Sequence, residues 1–362
     1  MNTLRLPDHR RMPGLLPVVL AFACTAGRTT AAISLTSDDG WTLSGDLRFR
    51  YESDYDSRDP AGAKRADRIR GRVRARLGLI YQPRDDWKFG IRVRTGSHRS
   101  QQSPHLTFAS DPGPTDDLEL VFDKYFLTYH DGNMTSWIGR NSFPFWKQNE
   151  MFWDDDVTPT GLAVSTTADF LDGRVTSTAG AFALPDGANS LHQTMLGAQL
   201  KYSSEAIGMK VTVAPGFYYM FGEDSPSKYL LTGNGMRDYG IGALNLQAST
   251  QVNGFRVVFG VDLYKNFENY RVGDDFISKE NVDDDFGFVA SVELGSLEEP
   301  GDWLFGYYYA RIEQFAINAS YAQDDWVRWG SGAQTRSSNL QGHELRAAHA
   351  ICENLNIMAR WY

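Results

Sequence analysis

Five arginines, Arg68, Arg70, Arg72, Arg74 and Arg76, take every second position, while Ile69, Gly71, Val73, Ala75, Leu77, Leu79 and Tyr81 between and beyond them carry no charge. Guanidinium groups are donors without acceptors, so such a row either holds anions or must be neutralised by carboxylates. The same alternation carries Arg48 and Arg50 upstream, and Lys88, Arg92 and Arg94 downstream. Glu150 and Asp154-Asp155-Asp156, in a long connector, are the obvious counter-charge. Proton-transfer or nucleophilic chemistry would instead need a histidine beside a carboxylate or a serine. His98, His105, His130, His192, His343 and His349 sit in no such motif, and a hydrolase would rest on a loop pairing such as His98 or His105 with Asp154. There is no Gly-rich phosphate loop, Cys/His metal spacing or dinucleotide fingerprint, so neither cofactor nor metal is expected.

A spacing of two would scatter these arginines around a helix, but on a strand it puts them all on one side. The run is then a strand of about thirteen residues, well beyond the roughly five or six usual in soluble sheets, which suits a strand crossing a bilayer at a tilt. The pattern recurs at 41–51, 87–94, 118–130, 134–140, 161–169, 174–184, 192–202, 208–220, 238–250, 254–265, 284–295, 302–312, 342–351 and 355–362. Short connectors (131–133, 203–205, 251–253 and 352–354) alternate with long ones (98–117, 141–160, 222–237, 266–283 and 313–341). Short turns on one side and long loops on the other predict a transmembrane antiparallel β-barrel of 14–16 strands, with periplasmic turns and extracellular loops. Trp41, Tyr51, Tyr81, Trp87, Tyr129, Tyr202, Tyr219 and Trp303 fall near strand ends, where aromatic rings settle at the two lipid–water interfaces. The rival fold is a soluble β-sandwich with its aromatics in the core.

The count is fifteen, whereas bacterial single-chain barrels have even numbers. Tyr362 also lies out of phase with the apolar Leu355, Ile357, Ala359 and Trp361. Both point to a chain one strand short of sixteen; fourteen strands with one segment miscounted is the other reading. At the opposite end, Arg5, Arg10 and Arg11 precede an apolar run from Leu15 to Ala26 and the small residues Thr30-Ala31-Ala32, the order of an export signal. Residues 1–32 are therefore expected to be a cleaved leader and 33–362 the barrel. Losing four arginines and one aspartate takes the formal charge from −9 to −12 and leaves Cys352 as the one cysteine, so no internal disulfide is expected. The 9 Trp, 17 Tyr and 21 Phe exclude a disordered chain, and no apolar run approaches the roughly 18 residues of a membrane helix.

Phe122-Asp123-Lys124-Tyr125 through Tyr129, Ile138-Gly139-Arg140-Asn141 with Pro144-Phe145, and the block from Phe152-Trp153-Asp154-Asp155-Asp156 to Ala163 together resemble the putative porin family of Gram-negative outer membranes. Tyr307-Tyr308-Tyr309, Asn339 to His343 and Glu353-Asn354-Leu355 resemble its C-terminal region. The resemblance implies a β-barrel channel in the bacterial outer membrane, without enzymatic activity and without a settled substrate. Its surroundings would be outer-membrane lipid and lipopolysaccharide. Small hydrophilic solutes would be its ligands, and a homotrimer is an assembly open to barrels of this size.

In such a barrel Arg48, Arg50, Arg68, Arg70, Arg72, Arg74, Arg76, Lys88, Arg92 and Arg94 become one basic sector of the lumen, which would guide anions or orient dipolar solutes. The alternative is a wall neutralised by a plug or an inserted loop, giving an occluded structural or adhesion barrel. Connector 141–160 would fold inward and set Glu150, Asp154, Asp155 and Asp156 against the arginines; the rivals are a calcium site on the outer surface and plain solvated charge. Asp274-Asp275, Asp283-Asp284-Asp285 and Asp324-Asp325 are read as outward charge that hydrates the surface. Nucleic acid is not an expected partner, because the basic row faces a lumen and the chain is acidic overall.

Overall fold

A computed structural model describes residues 19–24, 33–36, 40–57, 63–187, 191–206, 208–222, 237–270, 282–327 and 337–362. Alternating sequence became strand almost throughout. The elements are β1 (Val19–Cys24), β2 (Ile33–Thr36), β3 (Trp41–Asp54), β4 (Arg68–Arg84), β5 (Trp87–Thr95), β6 (Leu106–Asp111), β7 (Leu120–Asp131), β8 (Met134–Arg140) and β9 (Thr160–Phe170). They continue as β10 (Gly173–Pro185), β11 (Leu191–Ala206), β12 (Met209–Phe221), β13 (Tyr239–Val252), β14 (Phe255–Asn266), β15 (Phe286–Gly295), β16 (Trp303–Ile312), β17 (Leu340–Cys352) and β18 (Leu355–Trp361). Sixteen of the eighteen follow Gly40, and every ladder is antiparallel.

All fifteen expected strands are present. The sixteenth, β6, corrects the reading of 98–117 as loop alone: it pairs with Ile69–Val73 of β4 while β5 pairs with Arg76–Arg84, so the two share one neighbour. Its alternation covers only six residues, too few to stand out in a long connector. No direct ladder joins β18 to β3 among the described residues. Val19–Cys24 stands between them, antiparallel to both. The rest of the expected leader, 1–18 and 25–32, lies outside the described residues.

Tight turns hold one end of the sheet. Asn253 and Gly254 both adopt positive φ (51° and 82°) between the paired Val252 and Phe255, the backbone that a two-residue hairpin needs and that Asn-Gly adopts at low cost. Aromatic pairs mark that end: Trp41 stacks on Tyr81 at 4.4 Å, and Trp87 meets Tyr129 at 4.6 Å. Leu47, Phe49, Ile69, Leu77, Phe89, Ile91, Phe259 and Phe305 are exposed on one face, while Arg50, Arg72, Arg74, Asp123, Asn245 and Asp262 are buried on the other. That inversion is the signature of a wall with lipid outside and polar groups inside.

The sheet curls around two connectors. Gln148 and Asn149 bond Asp262 on β14, and Trp146 N–H donates to Gln199 on β11, while Asp156 in the same connector reaches Arg76 on β4. Strands remote along the sheet therefore face one another across the connector. The core is accordingly inside the curl of the sheet, where Phe145, Phe152, Trp153, Tyr218, Tyr264 and Tyr321 are buried together.

Candidate functional site

The site begins with register. Arg48 and Arg50 on β3 lie directly across from Arg74 and Arg72 on β4, and Arg76 lies across from Arg94 on β5. Like charges directly opposite repel, so acceptors must be close by. The same strands supply some of them. Arg74 Nη2 donates to Asp46 at 2.7 Å, Arg76 Nε donates to Asp46 at 2.5 Å, and Arg68 reaches Asp54 at 2.9 Å. Glu52 accepts from Arg50, Arg70 and Arg72, and Asp123 on β7 accepts from Arg92 at 2.6 Å. Asp46, Glu52 and Asp54 share the even phase of Arg48 and Arg50, so their place on the inner face was readable from spacing; the sequence reading did not use them.

Connector 141–160 delivers further counter-charge. Asp156 pairs with Arg76 at 2.9 Å and with Arg74 at 3.5 Å. Its neighbours behave differently. Asp155 pairs with Lys147 at 2.5 Å, and Asp154 accepts the backbone N–H of Asp156 at 2.7 Å. Glu150 accepts the N–H of Asp155 at 3.2 Å. Of the four acidic residues expected to oppose the ladder, Asp156 alone is ion-paired with it. Burial and the neighbouring carboxylates push both Asp154 and Glu150 above the usual carboxylate range. Asp155 and Asp156 both meet basic side chains, and no cluster of three candidate metal ligands occurs among the described residues.

The connector is held by shape as well as charge. Trp153 is fully buried, stacked on Phe143 (4.3 Å) and Tyr321 (5.4 Å), and its Nε1–H donates to Val157 O at 3.0 Å. Phe145 sits over Gly197, where an added Cβ would come within 2.7 Å of its ring, so glycine leaves the seat for this side chain.

A second inserted segment was missed. Phe315 to Ala322 of connector 313–341 is buried, and Gln101 and Gln102, in the connector after β5, donate to the carbonyls of Ser320, Ala319 and Ala322. The two connectors bond each other through Asp154 N–H to Tyr321 O (2.7 Å) and Gln323 N–H to Glu150 O (2.8 Å). The available signal was Phe315-Ala316-Ile317, an apolar stretch unusual for a hydrated loop. The reading of Asp324-Asp325 as outward charge is corrected for Asp325, which pairs with Arg50 at 2.8 Å and Arg360 at 3.8 Å. Burial opposes its ionisation, but the two arginines outweigh it and hold Asp325 below the usual carboxylate range. Asp285 meets Lys265, and Asp274-Asp275 lie outside the described residues.

Among the described residues, the carboxylates bonded to the ten ladder cations are six: Asp46, Glu52, Asp54, Asp123, Asp156 and Asp325. Arg94 donates to the carbonyls of Thr95 and Ser100 instead. The sector keeps a positive surplus, and a cavity of about 440 Å³ lies between the two connectors, bordered by Glu150, Asp154, Asp324, Arg346 and Arg360. His98 Nδ1 lies 3.2 Å from exposed Glu119, and His105 is buried among arginines; neither meets Asp154.

Residues 52–221 match the family described as "Putative porin". A comparison with curated proteins gives no match. Solved structures that resemble the chain include OprB of Pseudomonas putida, at 9% identity and TM-score 0.48 over 96% of this chain and 93% of that one. OmpT of Vibrio cholerae gives 11% identity and TM-score 0.44 over 90% and 100% of the two chains. An anion-selective porin from Comamonas acidovorans gives 10% identity and TM-score 0.36 over 96% of each.

Proposed function

We propose, from the match of residues 52–221 to the putative porin family and from an inverted wall with charge inside and apolar groups outside, that this chain is an outer-membrane porin. It is a water-filled channel for passive diffusion of small hydrophilic solutes. The observation that carries the reading is the ladder itself: ten cations on the inner face, bonded among the described residues to six carboxylates. A structural plug has no use for a surplus that costs repulsion, whereas a pore uses it to concentrate anions along one wall. Asp156 and Asp325, brought in by the inserted connectors, trim the surplus and narrow the passage. The leader at 1–32 directs export, and lipid with lipopolysaccharide surrounds the apolar face. A homotrimer is the assembly we test for by native mass.

The mature protein in planar bilayers should give stepwise conductance with a reversal potential on the anion side in a potassium chloride gradient. Replacing Arg70, Arg72 and Arg74 by Glu should move that potential toward cations. A folded barrel that stays silent in bilayers would establish the alternative, an occluded structural or adhesion barrel.

A further inference from the structure

Four guanidiniums form a square on the inner face, with Arg48 opposite Arg74 and Arg50 opposite Arg72. Three of them have acceptors. Arg50 uses Glu52 and Asp325, Arg72 uses Glu52 and Ser103, and Arg74 uses Asp46 and Asp156. Arg48 has neither a hydrogen-bond nor an ion-pair partner among the described residues, although it is only part-exposed and its Nε is buried. The Nε atoms of Arg50 and Arg72 are likewise buried without a partner. His105 is the fifth member, 7% exposed and with an unpartnered Nε2. Burial, reinforced by the field of Arg50, Arg72, Arg48 and Arg74, keeps its imidazole neutral. The ring therefore adds hydrogen-bonding capacity to the square without adding charge.

Buried donors without acceptors are costly, and their concentration in one place asks for an acceptor that comes and goes. The acceptor must be anionic, because the carboxylates at the square are bonded to Arg50, Arg72 and Arg74 and none bonds Arg48, and it must offer several oxygens, because the donors converge from two strands and a connector. A guanidinium fork matches a carboxylate or phosphate group with two parallel bonds. We propose that Arg48, with Arg50, Arg72, Arg74 and His105 around it, is an oxyanion-binding station that takes the carboxylate or phosphate group of a small solute, and that Arg48 is its specificity-determining residue. This rests on the channel reading only for the route by which the anion arrives.

The test is titration calorimetry on the folded mature protein at low salt, with succinate and with inorganic phosphate as the two probes. Saturable binding of either is expected. Arg48→Gln should weaken it roughly ten- to a hundredfold, the range for losing a charge-assisted bidentate bond. Arg48→Lys keeps the charge but not the fork and should fall between. Lys201→Gln, on β11, removes one charge away from the square and should leave binding within about twofold of the unaltered protein. Equal losses in Arg48→Gln and Lys201→Gln, or no binding of either probe, would overturn the station. Should Arg48→Gln not fold, Arg48→Lys decides, and affinity equal to that of the unaltered protein counts against the proposal. Conductance in potassium chloride separates the two readings. A protein that conducts but binds neither probe loses the station alone; one that binds but stays silent loses the channel alone.

Discussion

Asp156→Asn tests whether connector 141–160 acts on the ladder by charge or merely fills space. Asp156 contacts Arg76 at 2.9 Å and Arg74 at 3.5 Å, and its side chain is 10% exposed. Two charges about 4 Å apart interact by roughly 4 kcal/mol at an effective dielectric of 20, and breaking a buried pair costs about 3–5 kcal/mol when the partner is stranded. Here neither arginine is stranded, because both keep Asp46. The expected loss is therefore nearer that of one charge-assisted hydrogen bond, about 1.5–3 kcal/mol. The connector itself should stay seated, held by the Trp153 stack and the Asp262 bonds. Among the described residues the ten ladder cations are then bonded to five carboxylates, so the reversal potential in a salt gradient should move further toward anions while single-channel conductance changes little. Thermal unfolding gives the stability term, and asymmetric-salt bilayers give the selectivity. An unchanged potential, or a shift toward cations, would show that Asp156 does not set the field, and the electrostatic account of the ladder would fail with it.

Other outcomes follow from the inserted segments. Trp153→Ala removes the stack joining both connectors and should cost about 3–5 kcal/mol; loosened connectors should also raise single-channel conductance. Gly197→Val should displace Phe145 from its seat and raise conductance in the same way, measured beside Gly197→Ala as the milder step. For pH, Asp154 and Glu150 bind protons more tightly folded than unfolded, so their charged forms cost stability. That cost is absent below the ordinary carboxylate range near pH 4 and grows as pH rises toward their raised values. Asp325 has the opposite sign: its contribution is complete above the ordinary range and is lost as pH falls through its depressed value. Mild acidification from pH 7 should therefore hold or raise the melting temperature. Asp154→Asn keeps an acceptor for the Asp156 N–H and should flatten that dependence.

Strand identity was legible because the period of two is a local property. Ile69 to Tyr81 alternating with the arginines, or Trp87 to Val93 with Lys88 to Arg94, needs no knowledge of the rest of the chain to assign its two faces. Arg48, Arg50, Arg72 and Arg74 were thus placed on one side before any neighbour was known. Connector 141–160 was legible too, though only in its sum: four carboxylates stood out, but not which one would meet an arginine. That choice follows from how the chain turns after Trp153, and Asp155, one residue earlier than Asp156, goes to Lys147 instead.

What the sequence determined by itself is the wall, because pleating sends alternate side chains to opposite faces whatever lies beyond. What only the tertiary structure decided is the state of the ladder. Asp325 meets Arg50 across 275 positions, and Gln102 reaches Ala319 across 217. Contacts of that span depend on curling the sheet until remote strands face each other. Charge balance is a sum over those contacts, and among the described residues it leaves Arg48 without an acceptor while its neighbours in the square have theirs.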